Sequence, residues 1–323
     1  MTAPSPRRST DDRTFRLGTG LFALVVVLLV AGIAFELYRT SQLSINKFGF
    51  HFWRTKVWDP VAGEFGALPF IWGTLYSSLL ALLISTPVAL GIAIFLSELS
   101  PRFLRTPLAF LTELLAAIPS IVYGLWGVFV LVPVVRRLEL LTPEFLRKTP
   151  LFSGPPLGVG MLAAALILAV MVIPFTSSIA REVLKAVPST QREAAYALGA
   201  TRWEAIQAAL RYGRTGVIGA VMLGLGRAIG ETMAVTMVIG NNPQVSASLF
   251  APQYTMAAVI ANEFTEAADD LYLSALIEIG LVLFVITLVI NALSRLLIWS
   301  VNRKVTVKAP KPVPTATASP EAA

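Results

Sequence analysis

Six stretches of this chain, at about 17–38, 71–96, 108–132, 157–180, 215–240 and 273–300, are apolar over lengths that suit a lipid bilayer. A helix needs about 20 mostly apolar residues to cross the hydrocarbon core. A transmembrane barrel would instead show segments of about ten residues with alternating polarity, and none of the six does. The pattern therefore predicts an all-α, polytopic membrane protein with six transmembrane helices. Composition agrees, with 55% hydrophobic and 14% charged residues and a mean hydropathy of +0.72. Soluble domains carry about a quarter charged residues.

Orientation follows from Lys and Arg, because short basic loops stay in the cytoplasm. Of the 26 basic residues, 17 fall in four places that one topology puts on the same side. These are Arg7, Arg8, Arg13 and Arg16; Arg102 and Arg105; Arg181, Lys185, Arg192, Arg202, Arg211 and Arg214; and Arg295, Arg303, Lys304, Lys308 and Lys311. Both termini are then cytoplasmic. The segment 241–272 has no Lys or Arg and holds Glu263, Glu266, Asp269 and Asp270, which suits the outer side. Arg136, Arg137, Arg147 and Lys148 run against the trend, because the same count places them outside.

The net charge of +7 is explained by cytoplasmic-face arginines beside anionic lipid and needs no nucleic acid. With no cysteine, disulfides are excluded. The paired arginines of Ser5-Pro6-Arg7-Arg8 suggest an export signal, but five further spans follow the first, so an uncleaved anchor is expected. Residues 1–16 read as a cytoplasmic tail, 17–307 as the transmembrane domain, and the Pro/Ala/Thr-rich 308–323 as a disordered cytoplasmic tail. Between 40 and 69, Phe48, Phe50, Phe52, Trp53 and Trp58 interleave with charges, as in a segment at the outer headgroup level. His51 stands there without metal-ligating neighbours, and no metal site is expected. Pro87, Pro119 and Pro174 fall inside predicted spans and should bend them, either for packing or to line a pathway.

The segment 188–216 cannot cross a membrane, since it carries Arg192, Glu193, Arg202, Glu204 and Arg211. Thr190 with Glu193, and Thr201 with Glu204, have capping-box spacing, and Leu198-Gly199 offers a left-handed turn between them. Two short helices hinged at Gly199 are predicted. The second has Trp203, Ile206 and Leu210 on one face. Either the pair lies on the inner leaflet or it docks in a groove of a cytosolic partner. Ala194, Ala195 and Ala197 favour docking, because they add little membrane affinity yet allow close backbone approach.

The run Glu193-Ala194-Ala195-Tyr196-Ala197-Leu198-Gly199-Ala200 resembles the EAA loop of bacterial ABC importer permeases of the MetI-like type. Phe65 to Leu75, Ala116 to Gly127, Leu151 to Ala164 and Arg214 to Asn241 are similar to permeases of the phosphate-specific importers. The resemblance implies a type I importer permease fold in the bacterial inner membrane. It implies coupling helices at about 189–212, with Glu193, Ala194, Ala195, Gly199 and Ala200 docking an ATPase. It also implies as partners a homologous second permease (PstA-like), ATP-binding subunits (PstB-like) and a phosphate-binding protein (PstS-like). ATP and magnesium would be used by the partner ATPase, and this chain would bind no cofactor. Where the family ends the loop with Leu-Pro, this chain has Leu210-Arg211-Tyr212, so the exit from the second coupling helix should differ.

Arg227 and Glu231 lie within the fifth predicted span, about 12 and 16 residues from its cytoplasmic end and so near the membrane midplane. Ionised side chains there cost about 2.5 to 3.5 kcal/mol each on insertion scales. They share a helical face with Gly226 and Gly230. They are read either as a mutually neutralising structural pair or as a station on an anion pathway, where the arginine fork suits phosphate oxygens. Thr232 and Glu113 are candidate companions, and Glu278 also falls in a span. The chain has no Gly-x-x-x-x-Gly-Lys-Ser/Thr loop for a nucleotide, and a single histidine in an outer loop makes no Ser/His/Asp triad. It is expected not to be an enzyme. The expected function is permease subunit of a phosphate importer; a sulfate or molybdate permease and a phosphate-sensing scaffold are the alternatives. The absence of cysteine makes the orientation directly measurable: single cysteines at Ser246 and Thr142 should react with an impermeant reagent added outside, whereas labelling of one at Ser319 would reverse the topology.

Overall fold

The computed structural model describes residues 10–303, and these form thirteen α-helices and no β-strand. In chain order they are α1 (Thr10–Thr40), α2 (Gln42–Phe48), α3 (Leu68–Ile94), α4 (Arg102–Ala117), α5 (Ser120–Trp126), α6 (Val132–Leu141), α7 (Glu144–Arg147), α8 (Met161–Lys185), α9 (Ser189–Ala197), α10 (Arg202–Ile229), α11 (Met233–Thr236), α12 (Met256–Glu263) and α13 (Asp270–Arg303). A 3-10 turn, Gly49–Trp53, follows α2. Two π-helical turns extend regular helices: Phe95–Leu99 after α3, and Gly127–Leu131 joining α5 to α6. Arg7, Arg8 and the predicted tail 308–323 lie outside the described residues.

Five runs among the described residues are long and apolar enough to cross a membrane: Thr14–Thr40, Leu68–Leu99, Ser120–Leu141, Met161–Lys185 and Asp270–Val301. Two of the six predicted stretches differ in the structure. The stretch 108–132 is cut at Ile118 and Pro119, both extended, because proline lacks an amide hydrogen and disfavours helix in the residue before it. The crossing helix therefore starts at Ser120 and carries Arg136 and Arg137 near its far end. The stretch 215–240 belongs to α10, which starts earlier, at Arg202, and stops at Ile229. Pro87 and Pro174, by contrast, sit inside α3 and α8 without ending them.

The core forms where α8 meets α3, the most extensive helix pairing in the chain. Both helices present small residues there: Ser77, Ser78, Ala81 and Ser85 on α3, and Ala163, Ala164, Ala165 and Ala169 on α8 are all buried. Lipid is as apolar as leucine, so membrane helices gain by close packing, which small side chains permit. α10 packs on the same two helices, with Gly224 against Thr176 and Val172 and Gly216 against Val183. α1 stays outside this core, its apolar side chains exposed and its main contact with α13, as suits a lipid-facing helix.

The chain between α11 and α12 is irregular but well satisfied. Amides of Gly160, Met161 and Leu162, which begin α8 and lack helical acceptors, donate to the carbonyls of Val238 (3.0 Å), Ala251 (3.1 Å) and Leu249 (2.8 Å). Trp72 Nε1 and Tyr76 Oη on α3 donate to the carbonyls of Ser246 (2.8 Å) and Ala247 (2.9 Å). The basic loop after α6 is held by Glu139, whose Oε2 accepts the Gly158 amide at 2.7 Å, while Arg136 and Arg137 remain exposed.

The aromatic stretch 40–69 is more than a surface segment. Phe52 and Phe65 are buried, and Trp58 meets Phe65 and Phe70 edge-on at 4.8 and 4.9 Å. Trp58 Nε1 and Tyr272 Oη both donate to Glu263 Oε2, at 2.8 and 2.7 Å. Aromatic burial and a shared carboxylate thus pull the segment onto α12 and α13. Phe50 and His51 stay exposed.

Two glycines on α3 make the packing testable. A Cβ at Gly73 would collide with the Tyr254 carbonyl oxygen, whereas one at Gly91 would meet nothing within 4 Å. Gly73→Ala should lower stability by about 1 to 3 kcal/mol, and Gly91→Ala should leave it unchanged or raise it by up to about 1 kcal/mol through helix propensity. Thermal unfolding of the detergent-solubilised chain measures both, and equal effects would contradict the α3 packing.

Candidate functional site

α10 breaks at Gly230, and Glu231 and Thr232 are non-helical before the single turn of α11. Non-helical backbone at membrane depth is tolerated only where protein or a wet cavity covers it. Arg227 occupies the last turn of α10, and Glu231 Oε1 lies 3.4 Å from the Ala234 amide at the start of α11. Each charge therefore sits at the helix end that its sign suits. The Arg227 guanidinium lies 5.5 Å from the centre of the Phe175 ring, and its buried Nε has no partner among the described residues. Thr232 Oγ1 reaches the Gly230 carbonyl at 3.5 Å, and Thr236 Oγ1 bonds the Thr232 carbonyl at 2.7 Å.

Arg227 and Glu231 form no ion pair among the described residues. The helix break turns Glu231 away from the i to i+4 geometry that its spacing suggested. Gly226 has open space in front of it and Gly230 faces only the Gly226 carbonyl of the same helix, so no helix among the described residues fills that stripe. Arg227, Glu231 and Thr232 are thus brought together at the break, with an open surface beside them.

Glu113 is not part of this group. Its carboxylate accepts Arg181 Nη2 at 2.8 Å, and Arg181 also binds Glu182 at 2.9 Å. Arg181 lies six residues beyond Phe175 on α8, or about 9 Å closer to the α9 end. Glu278 is buried on α13 one turn from Ser274, whose hydroxyl donates to the Thr40 carbonyl and accepts the Ser44 amide. Arg181, buried and charged, was not expected as the partner of Glu113, because 68 residues separate them.

The segment 189–212 keeps its predicted hinge. Gly199 takes φ +80°, the left-handed region where a side chain is strained. Its amide bonds the Tyr196 carbonyl at 2.9 Å and the Ala200 amide bonds the Ala195 carbonyl at 3.1 Å, a Schellman closure of α9. The Thr201 capping box forms as expected, with Thr201 N to Glu204 Oε2 at 2.7 Å and Glu204 N to Thr201 Oγ1 at 3.4 Å. Thr201 donates both its amide and, at 2.8 Å, its hydroxyl to the Glu204 carboxylate, and these two bonds hold that carboxyl below its usual range. The cap is therefore complete above the ordinary carboxylate pKa and is lost as pH falls through the lowered one.

Two expectations for this segment are corrected. The Thr190 and Glu193 box does not form: α9 begins at Ser189, directly after extended Pro188, and no side chain caps it. Glu193 is thereby left exposed. The second helix is also not short. Without a proline after Leu210, α10 continues unbroken for 28 residues, about 42 Å, to Ile229. The predicted face of Trp203, Ile206 and Leu210 divides accordingly: Ile206 and Leu210 turn inward, while Trp203 stays out. With Leu198 89% and Tyr196 50% exposed, Trp203 completes an apolar patch around the hinge.

Residues 85–306 match the family of binding-protein-dependent transport system inner membrane components. The chain is 47% identical over 304 residues to the phosphate transport system permease protein PstC of Mesorhizobium japonicum, covering 92% of this chain and 93% of that one. It is 48% identical over 296 residues to the same-named protein of Pasteurella multocida, covering 90% and 92%. A probable phosphate transport system permease protein PstC of Methanocaldococcus jannaschii is 38% identical over 83% of this chain and 87% of that one. Among solved structures, the inward-facing MetNI methionine ABC transporter has a chain of the same fold, with a TM-score of 0.55 at 16% identity, covering 72% of this chain and 94% of that one.

The separation of Arg227 from Glu231 has a thermodynamic consequence. In a double-mutant cycle of Arg227→Gln and Glu231→Gln, the coupling energy for stability should stay well below that of a directly paired buried couple, because no ion pair joins the two among the described residues. A coupling of about 3 kcal/mol, the scale of a buried pair, would show that the two charges neutralise each other.

Proposed function

This chain belongs to the family of binding-protein-dependent transport system inner membrane components, and on that premise we propose that it is the permease subunit of an ATP-driven importer of inorganic phosphate. The observation that carries the substrate is the 47% identity, over nearly the whole of both chains, to a phosphate transport system permease. The inner membrane of a bacterial cell is its place, with both termini in the cytoplasm. A homologous permease completes the translocation path, a binding protein delivers phosphate from outside, and ATP and magnesium are used by ATP-binding subunits below.

In this reading Glu193, Ala194, Ala195, Gly199 and Ala200 form the ATPase dock. Its support is the exposed patch of Tyr196, Leu198 and Trp203 around a rigid Gly199 turn, flanked by an uncommitted Glu193. Small side chains at 194 and 195 let the partner's backbone approach. α10 then joins dock and pathway as one helix, with Thr201 at one end and Arg227 at the other. A displacement of the dock is felt at Arg227 without an intervening hinge.

At the pathway Arg227 is the anion-binding group. It is permanently charged, offers a planar fork to phosphate oxygens, and has a buried Nε without a partner among the described residues. Glu231 limits how tightly an anion is held, by repulsion close to the site, and Thr232 contributes a neutral hydrogen bond. Glu113, bound to Arg181, holds α4 against α8 instead.

Uptake of labelled phosphate by a strain carrying only the altered permease tests both halves. Arg227→Gln should lower uptake about 10- to 100-fold, the loss of one or two charge-assisted hydrogen bonds at about 1.5 kcal/mol each, while the complex still assembles. Ala195→Trp should abolish copurification of the ATPase while membrane insertion stays normal. Wild-type uptake by Arg227→Gln removes it from the pathway, and full ATPase binding by Ala195→Trp removes the dock. Competition of uptake by excess sulfate or molybdate would replace phosphate as the substrate.

A further inference from the structure

The π-turn Phe95–Leu99 that ends α3 holds Glu98, and both helices of the docking segment grip that residue. Arg192 on α9 donates from Nε to both Glu98 carboxylate oxygens, at 3.0 and 3.2 Å, and from Nη2 to Oε1. The same guanidinium donates from Nη1 to the Val187 carbonyl at 3.0 Å and from Nη2 to the Leu184 carbonyl at 2.9 Å, at the C-terminal end of α8. Arg202, the first residue of α10, donates from Nη2 to the Glu98 carbonyl at 2.8 Å. The pair is shielded, with side-chain exposures of 21% for Arg192 and 11% for Glu98.

Exposed ion pairs hold little, because water screens them and both side chains lose freedom. This one is different in kind: a bidentate guanidinium, largely out of water, with two further carbonyl acceptors. It locks three segments at one point, namely the end of α3, the end of α8 and the first turn of α9. The acceptor lies in a π-turn, a rare distortion that concentrates at functional sites. α3 is in turn the main packing partner of α8 in the core. A shift of α9 therefore cannot occur without moving the end of α3 or breaking the pair.

We propose that Arg192 and Glu98 are the positioning residues that pass displacement of the docking helices into α3, and so couple ATP hydrolysis to opening of the pathway. The inference rests on the reading of 193–200 as the ATPase dock. Arg202 adds a second hold on the same residue through the backbone, so Glu98 follows both docking helices together. Neither Arg192 nor Glu98 touches the substrate; their role is mechanical linkage.

The test uses the whole importer, purified with its ATPase and second permease in lipid nanodiscs, and compares basal hydrolysis with hydrolysis stimulated by phosphate-loaded binding protein. Glu98→Gln should copurify with the ATPase as the wild type does and keep its basal rate. Its stimulation and its phosphate uptake in proteoliposomes should each fall at least about 10-fold. Arg192→Gln should behave alike, and the double Gln variant should be no worse than either single one, because both remove one interaction. Arg192→Lys, which keeps the charge but not the fork, should be intermediate. Wild-type stimulation and uptake in Glu98→Gln overturn the proposal. So does a parallel fall in basal and stimulated rates, or loss of assembly in Glu98→Gln and Arg192→Lys alike, either of which would make the pair a fold-holding contact. Failure of the wild-type chain to copurify any ATPase overturns the dock itself, a result distinct from failure of the linkage.

Discussion

No water reaches a backbone amide in the hydrocarbon core of a bilayer, so every such group must find its partner inside the protein. Helices answer that demand locally, and the long helices α1, α3, α8, α10 and α13 follow from it. Where the chain leaves the helix, the demand must be met by other parts of the molecule. The irregular chain after α11 lends its carbonyls to the first amides of α8, and Trp72 and Tyr76 of α3 bind its remaining carbonyls. That mutual satisfaction lets α10 stop at Ile229 instead of crossing to the end, and it creates the break beside which Arg227 and Glu231 stand.

The break and the Gly199 hinge lie towards opposite ends of one helix, and the constraints at the two ends are opposite. At the hinge, apolar Leu198 and Trp203 remain uncovered, an exposed patch of the kind that marks an interaction surface. At the break, water is scarce, so an arginine without a carboxylate partner is the costly feature. Arg227 offsets part of that cost through the Phe175 ring and the carbonyl end of its own helix. Its Nε is left without a partner among the described residues.

A few charged side chains elsewhere join distant parts of the chain. Arg181 with Glu113 fastens α4 to α8, and Arg192 with Glu98 fastens α9 to the end of α3. Glu263 gathers Trp58 and Tyr272 at the other end of the molecule. These links span 68, 94 and 205 residues, respectively, counting Trp58 for the last. No local pattern announces them.

Much was legible from sequence. Runs of apolar residues set the membrane class, because transfer of side chains to lipid depends on composition summed over about 20 positions. The Gly199 turn and the Thr201 cap were readable too, since both are satisfied within a few residues. The division of this segment into α9 and α10 was recognisable for the same reason. The third span began later than hydropathy alone suggested because hydropathy does not register the loss of one amide at Pro119. The Thr190 cap failed because Pro188 starts α9 two residues sooner. Only the tertiary structure decided that Arg227 and Glu231 form no ion pair among the described residues, that Glu113 belongs to Arg181, and that Glu98 is held by Arg192 of α9 and Arg202 of α10. A local signal depends on spacing along the chain, whereas an ion pair depends on where two helices bring their side chains, and that is set by packing of the whole bundle.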